Sequence, residues 1–242
     1  SAYNRVVREV TDNLEKFELG VAVSKLYDFL WDSFCDWYIE IAKIRMNGDD
    51  EESAQAARQV LGWVMSRTLQ LLHPFMPYIT EEIWQSLPHE GESIMVSSWP
   101  VYDQSLSFPE AEEELLGLVE VIRGVRNRRA EMNVPMGRKA QLFIATDTPS
   151  MFEDGKAILQ KLGYADKVTV GDQFDVPGAV SIVTNRAKVY IPMDELVDKE
   201  AERKRLQKEL DSAQKQLDTV NAKLQNEKFM SRAPQNVVEG VR

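Results

Sequence analysis

Cysteine is nearly absent from this sequence: Cys35 stands alone. A single thiol forms no internal disulfide and offers no zinc-ligand spacing, which fits a reducing, cytoplasmic setting. Histidine is almost as scarce. His73 is followed by Pro74 and His89 is isolated, so both are expected to be structural or exposed rather than a base or a ligand. Glycine never clusters into a phosphate loop of the Walker or Rossmann kind. No apolar run is long enough to span a membrane. Residues 1–10 mix charge with apolar spacing, unlike a signal peptide. The missing initial methionine is expected to mark a processed or excised piece. Glu112, Glu113 and Glu114 sit together, but consecutive helix positions point apart, so a dipole-favoured helix start is the better reading than a metal site. A free-standing hydrolase or metal enzyme therefore has almost no support.

What is present is helical pattern and unevenly spread charge. The net charge is −10. Residues 1–109 carry 8 basic and 17 acidic side chains, and residues 110–116 add four glutamates. Residues 117–140 reverse the sign, with Arg123, Arg126, Arg128, Arg129, Arg138 and Lys139 against Glu120 and Glu131. A local basic face can bind phosphate on an acidic protein, so local sign outweighs the total.

Apolar spacing predicts helices over residues 3–17, 21–45, 51–72, 77–87 and 110–132, with Gly20 as the first interruption. Pro74 ends the third and Pro77 suits the first turn of the fourth. Glu81 and Glu82 are expected to complement that helix's dipole. Phe75, Tyr78 and Trp84 bring large rings to this corner, which reads as core and hinge. Ile94, Met95 and Val96 form an apolar clip in the following connector. From residue 141 the period changes. Residues 141–145, 167–170, 180–183 and 188–191 read as strands, and 150–162 as a helix. Beyond 194, Leu206, Leu210, Ala213, Leu217, Val220 and Leu224 follow a heptad seam roughly 27 Å long. Such a seam needs a partner. Ala233-Pro234 marks a turn, and Val237 and Val238 begin a returning arm. The expected fold is mainly α: an antiparallel helical bundle over 1–135, a small α+β subdomain over 136–193 and a truncated coiled-coil hairpin over 194–242.

The basic cluster admits two readings. Arg123, Arg126 and Arg129 recur at i, i+3 and share a slowly drifting face, while Arg128 points elsewhere. With Arg138 and Lys139 they can meet a phosphate backbone. Equally, cations at a helix C-terminus stabilise it and pair with nearby acids. Trp31, Phe34, Trp37 and Tyr38 could stack bases, although helical spacing makes most of them core. A bundle with a dimerising coiled coil, serving protein interaction alone, remains the rival.

Four motifs carry a resemblance. His73-Pro74-Phe75-Met76-Pro77-Tyr78-Ile79-Thr80-Glu81-Glu82-Ile83-Trp84 resembles the anticodon-binding bundle of the class I synthetases for valine, isoleucine and leucine. The stretch from Phe34 to Glu40 looks like its preceding helix. The stretch from Arg126 to Pro135, and the tail from Leu224 to Pro234, look like the C-terminal part of the valyl-tRNA synthetase family. The resemblance covers essentially the whole chain. It implies a fragment that binds valine tRNA, the bundle reading the anticodon and the coiled-coil arm touching the outer corner. The ATP-binding signatures of the family are absent, and Lys228-Phe229-Met230-Ser231-Arg232 is a chance echo of one. The fragment, lacking the catalytic and editing domains, should be inactive alone and hold no cofactor, whereas the parent uses ATP and Mg and is expected to be monomeric. The resemblance makes Arg123, Arg126, Arg128, Arg129, Arg138 and Lys139 candidate tRNA contacts, with Lys215, Lys223, Lys228 and Arg232 on the arm. The truncated arm could self-associate through Leu206, Leu210, Leu217 and Leu224.

Overall fold

The computed structural model describes residues 1–135, 137–193, 207, 208, 210–215, 217, 218, 220 and 221. The described chain is mainly helical, with one four-stranded mixed sheet. The first helix, α1 (Ala2–Glu15), turns Tyr3, Asn4, Val7 and Val10 inward. Its end is not made by Gly20. Phe17 adopts φ 59°, the Phe17 N–H reaches the Leu14 carbonyl at 3.0 Å and the Glu18 N–H reaches the Asn13 carbonyl at 2.8 Å. This is a Schellman cap with phenylalanine where glycine is favoured. Gly20 instead lies in the first turn of α2 (Leu19–Asp28). Phe17 is 87% exposed, so it gains little from packing. Phe17→Gly is expected to stabilise the protein by about 0.5–1 kcal/mol, relief of left-handed strain outweighing glycine's extra entropy. Urea denaturation would measure the gain, and an unchanged midpoint would refute it.

Helix α2 continues without a break into a π-helical segment, Phe29–Ile39, and then into α3 (Glu40–Met46). The predicted single helix is thus continuous but not uniform. In an α-helix, residues five apart lie about 140° from each other. The i→i+5 repeat brings them into line. Phe29 and Phe34 accordingly stack at 6.1 Å, and Phe34 stacks on Tyr38 at 5.9 Å. Both phenylalanines are buried with Val7, Val10, Leu26 and Leu71 in one core cluster.

Helix α4 (Glu51–Leu72) starts with Asp50 accepting the Ser53 N–H, and Glu51 and Glu52 fill its first turn, where they favour the dipole. Pro74 follows its end, and α5 (Pro77–Gln85) begins on Pro77. The corner is tied by side chains. Thr80 Oγ1 donates to the Met76 carbonyl at 2.7 Å and lies 2.8 Å from His73 Nδ1. With the Thr80 proton committed, the His73 ring donates, which defines a structural histidine. Two expectations about the corner need correction. Tyr78 is 91% exposed, because it points away from the packed side that buries Thr80 and Trp84. The first turn of α5 contains no acid. Glu81 instead accepts from Gln85 Nε2 at 2.7 Å and Ser93 Oγ at 2.8 Å, and these bonds, Gln85 first, hold its carboxyl below the usual range. The clip is also narrower than expected. Ile94 alone is buried in the 3₁₀ turn Ile94–Val96, whereas Met95 and Val96 are exposed.

Helix α6 (Pro109–Glu131) buries Leu118, Val119, Val121, Ile122 and Val125. It ends as Asn133 takes φ 53°, a conformation asparagine tolerates. The sheet follows: β1 (Ala140–Ala145), β2 (Ala165–Gly171), β3 (Ala179–Val183) and β4 (Lys188–Pro192), ordered β2-β1-β4-β3. β1 and β2 are parallel and are linked by α7 (Pro149–Asp154) and α8 (Lys156–Leu162), whereas β1–β4 and β4–β3 are antiparallel. Ala140, Leu142 and Ile144 alternate inward along β1. One core joins this sheet to α6 and reaches Trp37 and Ile41. The fit is close at Gly124, where a Cβ would stand 2.8 Å from Ile182.

The described residues from 207 to 221 are helical. Leu210 and Leu217 are 61% and 52% exposed. Leu206, Leu224, Ala233, Pro234, Val237 and Val238 lie outside the described residues.

Candidate nucleic-acid interface

The basic turns of α6 are organised by two aromatic rings from distant parts of the chain. The guanidiniums of Arg123 and Arg126 approach the Trp37 ring, at 5.2 and 5.6 Å from its centre. Those of Arg126 and Arg129 approach the Tyr164 ring, at 5.8 and 5.4 Å. The i, i+3 spacing does align these three arginines, and cation–π attraction holds them against the π-helical segment and the α8–β2 link. Tyr164 has φ 55°, a strained conformation that aims its ring at α6.

The three arginines are nevertheless not equivalent. Arg123 is exposed. Arg126 is half-buried and donates from Nε to the Leu162 carbonyl at 2.8 Å. Arg129 is only 4% exposed. Its Nη2 donates to the Pro135 carbonyl at 3.1 Å and to the Arg138 carbonyl, and burial lowers its pKa, with Tyr164 partly opposing. Arg129 is therefore a structural clamp on the loop after α6 and leaves the set of surface cations. Arg128, off this face, forms an ion pair with Glu131 at 3.0 Å, an exposed pair worth little. Lys139 is exposed, and Arg138 is half-buried and engaged. Lys215 is exposed and engaged as well. Lys223, Lys228 and Arg232 lie outside the described residues.

Of the four aromatics considered as base platforms, Phe34 and Trp37 are buried and Tyr38 is half-buried. Trp31 is 50% exposed beside Tyr27, 6.2 Å between ring centres. The acidic start of α6 is tied down elsewhere, Glu112 to Arg5 at 2.5 Å and Glu113 to Arg186. Cys35 has its pKa raised by burial and then by Asp36, so it is not an activated thiolate. Tyr164 escaped the sequence reading because a ring at a helix–strand link carries no local signal. The arrangement supplies cations and rings, suited to binding rather than bond-making chemistry.

Comparison with known proteins agrees in kind. Residues 1–144 match the family described as the anticodon-binding domain of tRNA ligase, and the chain belongs to that family. Residues 198–242 match the valyl tRNA synthetase tRNA binding arm. Curated relatives are valine–tRNA ligases. That of Clostridium acetobutylicum is 45% identical over 100% of this chain and 28% of its own length. Those of Oceanobacillus iheyensis and Bacillus subtilis are 41% and 40% identical, each over 98% of this chain and 27% of their own. The chain thus spans just over a quarter of the length of these relatives.

Proposed function

We propose that this chain is the tRNA-reading C-terminal part of a valine–tRNA ligase. One observation carries the reading: an anticodon-binding domain and a tRNA binding arm occur in this order in a single chain. The units are the helical bundle over 1–135, the α+β subdomain over 136–193 and the arm over 194–242. Arg123, Arg126, Arg128, Arg138 and Lys139 form the bundle's phosphate-facing set, and Lys215, Lys223, Lys228 and Arg232 that of the arm. Anticodon bases are unstacked in a loop, so side chains can stack on them and bond their edges. Lysine and arginine contacts to the backbone supply affinity that falls with salt. In the parent, an ATP- and Mg-dependent cytoplasmic ligase, this binding energy holds the distant acceptor end for aminoacylation. Among the described residues no helix is long and apolar enough to cross a membrane.

Filter binding against salt tests the reading. Valine tRNA should bind with a steep negative salt slope. Arg123→Ala/Lys139→Ala should weaken it by about tenfold at low salt and flatten the slope by about 2. Equal affinity for unrelated tRNAs at every salt concentration would sink anticodon reading. A second reading, self-association through Leu206, Leu210, Leu217 and Leu224, draws on the exposure of Leu210 and Leu217. Sedimentation equilibrium that stays monomeric at high concentration would remove it.

A further inference from the structure

One face of the second helix is apolar and uncovered. Leu19, Val23, Tyr27 and Trp31 follow one another at four-residue steps through α2 into the π-helical segment, so neighbours share a ridge. All four are exposed, Tyr27 at 60% and Trp31 at 50%. The two rings lie 6.2 Å apart and tilted, an arrangement that aromatic pairs favour. The packing side of the same helix is complete without them, since Ala22, Leu26, Phe29 and Phe34 are buried in one core with Val7, Val10 and Leu71. Single exposed apolar residues are ordinary, but a row of four ending in two aromatic rings marks a contact surface.

A second row runs beside the first. Asp28, Asp32 and Asp36 also recur at four-residue steps, and all three are exposed. None of them forms an ion pair among the described residues, and the lysines flanking them in sequence are taken, Lys25 by Glu9 at 3.1 Å and Lys43 by Glu40 at 2.5 Å. Asp28 follows Tyr27 and Asp32 follows Trp31 by one position, so the acids stand about 100° around the helix from the rings. Like charges at this spacing destabilise a helix unless something opposite meets them. The aspartates also decide the kind of partner. They repel a phosphate backbone, which sets this face apart from the arginines of α6, and they attract lysine and arginine.

We propose that this face docks a basic amphipathic helix of a separate protein. The apolar side of that helix lies against Val23, Tyr27 and Trp31, and its lysines or arginines, spaced four residues apart, meet Asp28, Asp32 and Asp36. Anchoring of an amphipathic helix by apolar residues at helical spacing is a recurring mode of recognition, and aromatic rings supply most of the energy of such contacts. The core of a permanent interface is depleted of charge. Unpaired acids beside half-exposed rings suit instead a partner that arrives and leaves, steered by charge. The proposal goes beyond the tRNA reading and does not depend on it.

The test uses the whole chain and a synthetic helical peptide of about 18 residues, with leucine along one face and lysine beside it, long enough to cover the roughly 20 Å from Val23 to Asp36. A second peptide carries glutamate in place of lysine. In fluorescence anisotropy the lysine peptide should bind with micromolar Kd and weaken as salt rises, and the glutamate peptide should not bind. Tyr27→Gln/Trp31→Gln should weaken the lysine peptide by at least about tenfold. Asp28→Asn/Asp32→Asn/Asp36→Asn should do the same and remove most of the salt dependence. Trp31→Phe should retain most of the affinity. Glu110→Gln/Glu114→Gln, which removes exposed acids from α6, should retain all of it. Every substituted side chain is exposed, so unchanged circular dichroism confirms that the variants fold. No binding of the lysine peptide by the parent chain overturns the proposal outright. If Glu110→Gln/Glu114→Gln weakens the peptide as much as the aspartate variant, the attraction is to net charge alone and the proposal falls. It also falls if a full-length ligase containing this chain cannot bind the lysine peptide, since the face is then covered within one polypeptide. Dissociation of a homodimer by Tyr27→Gln/Trp31→Gln in sedimentation would make the face a self-contact, and weakened valine tRNA binding by the same variant would make it an RNA surface; either result overturns the assignment.

Discussion

Arg129→Ala is expected to destabilise the protein by about 2–4 kcal/mol, while Arg123→Ala, six residues earlier on the same face, leaves stability almost unchanged. The contrast follows from where each guanidinium ends. Arg129 is 4% exposed and donates to the carbonyls of Pro135 and Arg138. Alanine would leave those two acceptors without their donor and remove a cation from the face of Tyr164. Hydrogen bonds to a charged group contribute about 1.5–3 kcal/mol each, so the two account for most of the predicted loss. Arg129→Lys should recover only part of it, because an ammonium on a flexible stem cannot reproduce a planar fork reaching two carbonyls. Arg123 has no such carbonyl partners among the described residues, and it is itself exposed beside the Trp37 ring. The measurement is a pair of urea curves for the two alanine variants, followed by RNA binding at matched folded fraction. If Arg129→Ala unfolds like the parent yet binds tRNA poorly, Arg129 is a contact after all and its burial has been misread.

This pair of arginines shows what one-dimensional pattern can carry. Spacing correctly put Arg123, Arg126 and Arg129 on one face. It could not say whether that face looks outward or onto Trp37 and Tyr164, because those rings come from far along the chain. Helices α4, α5 and α6 and all four strands were legible, since each has a strong period and a proline, glycine or asparagine at its ends. The π-helical segment was not legible. Phe29, Leu30, Phe34, Trp37, Tyr38 and Ile41 fit a broad α-helical stripe equally well, and only the stacking of Phe29 on Phe34 distinguishes the wider turn. Phe17 misled for a related reason. A phenylalanine in the left-handed region contradicts local preference, so the nearby Gly20 looked like the better stop. The joint between α4 and α5 was hidden too, because it requires Leu69 of one helix to meet Trp84 of the next across the proline corner. Helix pattern locates that corner but does not give its angle. The exposed Tyr78 and buried Trp84, six residues apart in one short helix, depend on that angle.

Trp84→Ala should therefore produce the largest loss of stability, about 3–5 kcal/mol, as expected for emptying a buried aromatic site. The side chain is among the largest that are fully buried in this protein. It packs with Leu69 of α4 and Ile94 of the 3₁₀ turn, with Met65, Ile83 and Leu87 at the margin. This cluster is small and separate from the two larger cores, so nothing nearby can move in to fill the space without uncoupling α5 from α4. Trp84→Phe keeps a ring in place and deletes the unpaired N–H, which removes one buried unsatisfied donor. Its loss should be clearly smaller, about 1–2 kcal/mol, because the smaller ring leaves a partial cavity that the missing donor partly offsets. Urea denaturation of the two variants measures the difference. A Trp84→Ala loss below about 1 kcal/mol would show that α5 is not held by this cluster at all.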